Sequence, residues 1–286
     1  MIQMLQGKSE MIKDAASREV RVLKDLQALQ TANEMGCTVR EVYHEALKLG
    51  ITPYRYLRNR DCISMDEQLV LSASRVAVVG AGGLGGHVIL LLARVGIGEL
   101  VVLDRDVFDE TNLNRQALCV DRAIGKSKTD EAFLAVGSIN PGVEVIPYKV
   151  QLDISNASEI LAGSDVVVDA LDNIPDRFVL EKSAKKLAIP LVHGALAGLE
   201  GRIMTIFPDD PGLEQLYGRE KSGGDKSVSP ESILGVPPVT PSLIATYQAM
   251  EVLKIILNRG KIYRNVMLHM DLETGEINEF RFEGHS

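Results

Sequence analysis

The chain has 286 residues, 45% of them hydrophobic, with 31 Lys/Arg against 39 Asp/Glu for a net charge of −8. Such a length implies one large domain with an appendage, and the acidic balance excludes a nucleic-acid scaffold, which needs a basic face. Three cysteines (Cys37, Cys62 and Cys119) and no C-x-x-C pair exclude a disulfide framework and the usual zinc ribbon.

The opening stretch MIQMLQGKSEMIKD is charged and lacks an apolar core, so it does not read as a signal peptide. No apolar run reaches membrane-spanning length, and a cytoplasmic protein without membrane contact is expected. Residues 8–34 hold no Gly or Pro and space Val20, Leu23, Leu26 and Leu29 as a helical stripe, so one long helix is expected, stopped at Gly36. Thr38 and Glu41 then form a capping-box pattern for a helix ending at Gly50. ITPYRYLRNR predicts a third short helix with Pro53 in its first turn. This N-terminal helical extension, residues 1–53, carries the rhythm of a helix-turn-helix. Its surplus of three positive charges within residues 1–60 is too small for a DNA reader, and a packing or docking role fits better.

From Ser74 short apolar strands alternate with helices. RVAVVG, IGELVVLD, VEVIPYKV, DVVVDAL, IPLVHGA and GRIMTIFP read as strands, and GGHVILLLARVG, SKTDEAFLAVGSIN, ASEILAGS and IPDRFVLEKSAKKLA as helices. That alternation predicts an α/β domain over residues 54–286, with a Rossmann-like, mainly parallel sheet covered by helices on both faces. Residues 208–241 read as a long surface loop, PSLIATYQAMEVLKIIL as a strong helix, and VMLHMDL with INEFRFE as closing antiparallel strands around ETGE.

Gly80, Gly82 and Gly85 fit G-x-G-x-x-G between a strand and a helix, and Gly83 and Gly86 add more glycine than a turn needs. Asp104 follows about 20 residues on, where a carboxylate accepts ribose hydroxyls. These features alone describe a nucleotide site, and dehydrogenases are its commonest owners. Arg115, Lys128 and Asp172 favour another ligand. Two cations suit a triphosphate whose departing pyrophosphate gains charge, and Asp172, with Asn173 at a strand end, suits Mg²⁺. Asp169, inside the strand, reads as structural, and His193 as a packed strand-end residue.

With RYLRN, GAGGLGG, VVLDRDVFDETNLNRQ, IGKSK, INP, DALDN, HGALAGLEGRI and YQAMEVLK in place, the chain resembles the ubiquitin-activating-like superfamily of ThiF, MoeB and HesA over roughly residues 55–280. The resemblance implies an ATP-dependent adenylyltransferase that activates the C-terminal glycine carboxylate of a small ubiquitin-like sulfur carrier ending in Gly-Gly. It implies that Gly80, Gly82, Gly83 and Gly85 line the ATP phosphates and that Asp104, with Asp106 nearby, holds the ribose. Thr111, Asn112, Leu113, Asn114, Arg115 and Gln116 would wrap the phosphates beside Lys128, while Asp172 would hold Mg²⁺ with Asn173 beside it in the cofactor site. Arg58 matches an arginine that reaches into the partner's ATP site in homodimeric relatives. The two C-x-x-C pairs of many bacterial relatives are missing, so no zinc is expected, and the loop cysteine used for covalent transfer is missing too. Activation of a small-molecule or RNA-borne carboxylate, a non-catalytic partner platform and an NAD-dependent oxidoreductase are the competing readings.

Overall fold

The computed structural model describes residues 1–218 and 230–282. Its first unit runs α1 (Ile2–Lys8), β1 (Glu10–Lys13), β2 (Glu19–Leu23), α2 (Asp25–Met35), α3 (Val39–Lys48) and β3 (Thr52–Pro53). β1 and β2 pair antiparallel, and β2 pairs β3 in parallel. The extension is therefore mixed rather than all-helical, and two expectations are corrected. The long helix over residues 8–34 is a hairpin followed by a shorter helix. The Asp14 carboxylate accepts the N–H groups of Ala16 and Arg18 at 2.8 and 2.9 Å. With Ser17 at φ 62°, this makes a turn that needs neither Gly nor Pro. Val20 and Val22 alternate inward with period two, whereas Leu26 and Leu29 of the supposed stripe are exposed. Likewise, ITPYRYLRNR is not a helix but β3 followed by a single 3₁₀ turn at Tyr54–Tyr56.

The Thr38 capping box is present, with Thr38 Oγ1 accepting the Glu41 N–H and the Glu41 carboxylate accepting the Thr38 N–H. Thr38→Ala is expected to lower stability by about 1 kcal/mol in urea unfolding, and an unchanged midpoint would contradict this. The unit closes its own core around Leu5, Leu23, Val42, Tyr43 and Tyr56. It is riveted to the rest of the chain by Arg40, which pairs with Glu99 and Glu144 at 3.1 and 3.2 Å. Tyr56 adds a further rivet, its hydroxyl accepting the Asn140 side-chain amide at 2.8 Å.

The second unit follows as α4 (Met65–Ala73), β4 (Arg75–Val79), α5 (Gly83–Val95), β5 (Glu99–Leu103), α6 (Lys128–Ile139), β6 (Glu144–Tyr148), α7 (Ala157–Leu161), β7 (Val166–Asp169), α8 (Ile174–Lys186), β8 (Leu191–Ala197), β9 (Glu200–Ile206), α9 (Glu214–Tyr217), α10 (Pro230–Leu234), α11 (Val239–Ile256), β10 (Val266–Asp271) and β11 (Ile277–Arg281). The stretch read as a loop over 208–241 carries α9 and α10 among its described residues, and α11 begins inside it at Val239; residues 219–229 lie outside the described residues. The eight strands stand in the order β11-β10-β9-β8-β7-β4-β5-β6. The five from β6 to β8 run parallel and the remaining three antiparallel, as the sequence implies.

The central strands are buried on both faces. Val76, Val78, Leu100 and Val102 pack under α5 and α11, while Ala77, Val79, Val101 and Leu103 pack over α7 and α8. β4 has β5 on one side and β7 on the other, so chain order reverses at β4. A crevice must open there at the carboxyl ends of the strands.

Candidate active site

At that switch point lies a cavity of about 410 Å³, a size suited to a nucleotide-sized ligand. The β4–α5 turn forms its floor. Gly80 sits at φ 96°, and a Cβ there would stand 2.5 Å from the Ala170 carbonyl; one at Gly85 would stand 1.7 Å from the Gly80 carbonyl. Both positions therefore exclude a side chain, and the turn folds tightly enough to bring Gly82 and Gly83 into the lining as bare backbone. α5 starts there with no side-chain cap and no acid in its first turn. Its free N–H groups and positive dipole end make a ready anion site.

Asp104 closes the β5 edge. One carboxylate oxygen accepts the Ala81 N–H and the other the Asp106 N–H, both at 2.8 Å, so Asp104 pins the glycine turn as well as facing the cavity. Burial pushes its carboxyl above the ordinary value, opposed by Lys128 and the two amides. Lys128, the first residue of α6, is buried with Nζ 3.1 Å from Asp106 and 4.0 Å from Asp104. The stretch from β5 to α6 arches over as an arm. Asp109 caps the 3₁₀ turn Glu110–Asn112, its carboxylate accepting the Thr111 N–H while Asn112 Oδ1 accepts the Asp109 N–H. Arg115 emerges from that turn, donating to the Thr111 carbonyl at 3.0 Å and to Asn114 Oδ1 at 2.9 Å. No carboxylate among the described residues neutralises it. Gln116 is buried beside Gly82 with its Oε1 unpartnered.

Across the crevice, Asn173 caps α8 by accepting the Asp176 N–H at 2.9 Å, which presents Asp172 to solvent just before the helix. Of the residues singled out from sequence, Gly80, Gly82, Gly83, Asp104, Asp106, Arg115, Gln116, Lys128, Asp172 and Asn173 line this one cavity. Gly85 lies behind the turn. Thr111 and Asn112 shape the arm from outside the lining, as does Leu113, and Asn114 reaches instead to the Val236 carbonyl at 3.2 Å. Arg58 is exposed and outside the lining of this cavity. His193 is fully buried and satisfied, and Asp169 is its partner, as expected of structural residues. Arg105 and Arg177 line the cavity without having been singled out. Arg177 sits one turn after the Asn173 cap, and that spacing was the available signal.

The described residues contain no group of three or more His, Cys, Asp or Glu placed to hold a metal. Asp172 nonetheless fits Mg²⁺, which is bound through one or two carboxylates and otherwise through phosphates and water. The donor set also fits a triphosphate: an uncapped helix terminus and the cations Arg105, Arg115, Lys128 and Arg177 surround one space.

The model of the ThiF family matches residues 56–286. The chain belongs to the ThiF family. It is 41% identical to the SAMP-activating enzyme E1 of Haloferax volcanii over 219 residues, 76% of this chain and 80% of that one. It is 33% identical over 256 residues to the Arabidopsis thaliana adenylyltransferase and sulfurtransferase MOCS3, covering 84% of this chain. It spans about half that relative's length (53%). The ThiF-family relatives it matches are thus named as adenylyltransferases and activating enzymes. The structure of E. coli MccB with ATP shares the fold, with a TM-score of 0.66 at 20% identity over 81% of this chain and 71% of that one. No helix among the described residues is long and apolar enough to cross a membrane.

Proposed function

We propose that the protein is a Mg·ATP-dependent adenylyltransferase that activates the C-terminal glycine carboxylate of a small ubiquitin-like sulfur-carrier protein ending in Gly-Gly. The observation that carries this reading is the convergence of Arg115, Lys128 and Asp172 on one cavity with the open α5 terminus. In this reading the α5 amides and Arg115 hold the phosphates, Lys128 lies alongside, and Asp104 accepts the ribose hydroxyls. Asp172 would hold Mg²⁺, which supplies positive charge to the phosphates. The carrier carboxylate attacks the α-phosphorus; a C–O–P bond forms as the bond to the β-phosphate oxygen breaks, and its electron pair leaves with pyrophosphate. No general base is required, because a C-terminal carboxylate is ionised at neutral pH. Arg58, exposed on its own subunit, would complete the site of a second copy in a homodimer. Residues 1–53 form an appendage to a catalytic domain at 54–286, and a cytoplasmic location goes with the use of ATP.

Carrier-dependent ATP–pyrophosphate exchange tests the proposal. Exchange with a Gly-Gly carrier supports it. Exchange with a small-molecule or RNA-borne carboxylate alone would replace the substrate, and no exchange with any carboxylate would leave only a binding platform. Cysteine has no part in this step. Cys119 is buried, its thiol pushed up by that burial, and the Cys37 thiol is raised as well. Changing all three cysteines to Ser is therefore expected to leave exchange nearly intact, and its loss would contradict an adenylation without covalent transfer.

A further inference from the structure

Beneath the cavity, four polar side chains form a closed circuit that the catalytic reading does not use. Arg177 Nη1 donates to the Tyr217 hydroxyl at 2.8 Å, which lies 3.2 Å from His193 Nε2, and His193 Nδ1 lies 2.7 Å from Asp169 Oδ2. A guanidinium only donates and a carboxylate only accepts, so the direction is forced throughout. Tyr217 donates to His193, which donates to Asp169. Burial holds the His193 pKa down, in keeping with a neutral ring that accepts at Nε2. The circuit closes on one residue: Asp169 Oδ1 accepts the Leu171 N–H at 3.0 Å, and Arg177 Nη2 donates to the Leu171 carbonyl at 2.6 Å. Leu171 immediately precedes Asp172.

Tyr217 enters this circuit from elsewhere in the fold. It ends α9, a four-residue helix with no buried residue of its own, on the connection from β9 to α11. We propose that Tyr217 is a positioning residue for Asp172: its hydroxyl completes the clamp on the Leu171 backbone and ties the metal-holding carboxylate to the seat of α9. Arg177 explains how the clamp would fail. Its Nε is already buried without a hydrogen-bond partner, 3.7 Å from Asp169 Oδ2. Without the Tyr217 hydroxyl a second donor is orphaned. The guanidinium then gains by turning toward Asp169, and the Leu171 carbonyl is released.

This proposal rests on the Mg·ATP reading, and its test separates the two. Tyr217→Phe removes one oxygen and keeps the ring. In the free protein, amide hydrogen exchange at residues 171–173 is expected to accelerate about ten-fold, the factor for one hydrogen bond to a charged group. In calorimetry, the Mg²⁺ concentration that half-supports ATP binding is expected to rise by a similar factor, with metal-free ATP affinity unchanged. His193→Gln breaks the circuit at another bond and should give the same magnesium shift. On an Asp172→Asn background, Tyr217→Phe should add nothing. Wild-type hydrogen exchange and wild-type magnesium dependence in Tyr217→Phe would overturn the proposal, as would a magnesium shift that persists on Asp172→Asn. A wild-type protein whose ATP binding ignores Mg²⁺ would instead overturn the functional reading.

Discussion

Arg115→Ala is expected to lower carrier-dependent exchange by about a thousand-fold, the scale of losing a fixed cation aimed at developing phosphate charge. The geometry makes the loss large. Arg115 is held by two neutral acceptors, the Thr111 carbonyl and Asn114, so its charge is fully available to a ligand. The arm that carries it is braced by the Asp109–Asn112 reciprocal cap and does not depend on the guanidinium. Thermal stability should therefore stay near wild type while exchange collapses. Exchange within ten-fold of wild type would contradict a phosphate role for Arg115.

Lys128→Ala is expected to cost at least as much, for two compounding reasons. It removes a buried cation of the cavity, and it leaves Asp104 facing the nucleotide without its counter-charge and Asp106 with Arg105 alone, 3.7 Å away. A buried charge such as Asp104 stripped of its partner is costly in itself, and the under-compensated carboxylates would repel the phosphates. Adding Asp106→Asn to Lys128→Ala removes one of those negative charges. It should recover part of the ATP affinity in calorimetry, although not the rate of exchange. A double variant that binds ATP no better than Lys128→Ala would contradict the charge argument.

The body of the fold was legible because its signals are local and mutually consistent. Each central strand is a short apolar run, α4, α5, α6 and α8 start at a glycine or a capping residue, and the glycine turn allows few alternatives. The extension misled because Val20 and Leu23 satisfy helical spacing while Val20 and Val22 satisfy strand spacing; pairing with β1 and β3 decided between them. The turn before β2 was hidden because Asp14, rather than Gly or Pro, makes it. In the site, charges that stand at strand ends were readable from the sequence. The roles of Thr111 and Asn112 in shaping the arm were not, since local capping and ligand contact call for the same residue types. The Arg177–Tyr217–His193–Asp169 circuit joins residues far apart in the chain, and no local pattern marks it.

The proposed reaction requires Arg115, Lys128 and Asp172 to converge upon a single triphosphate. A crystal structure of the protein with ATP and Mg²⁺ tests it most directly. Arg115 and Lys128 should lie about 3 Å from phosphate oxygens, with Asp172 at about 2.1 Å from the metal or one water away. A nucleotide seated with either cation turned to solvent, or a metal held away from Asp172, would contradict it.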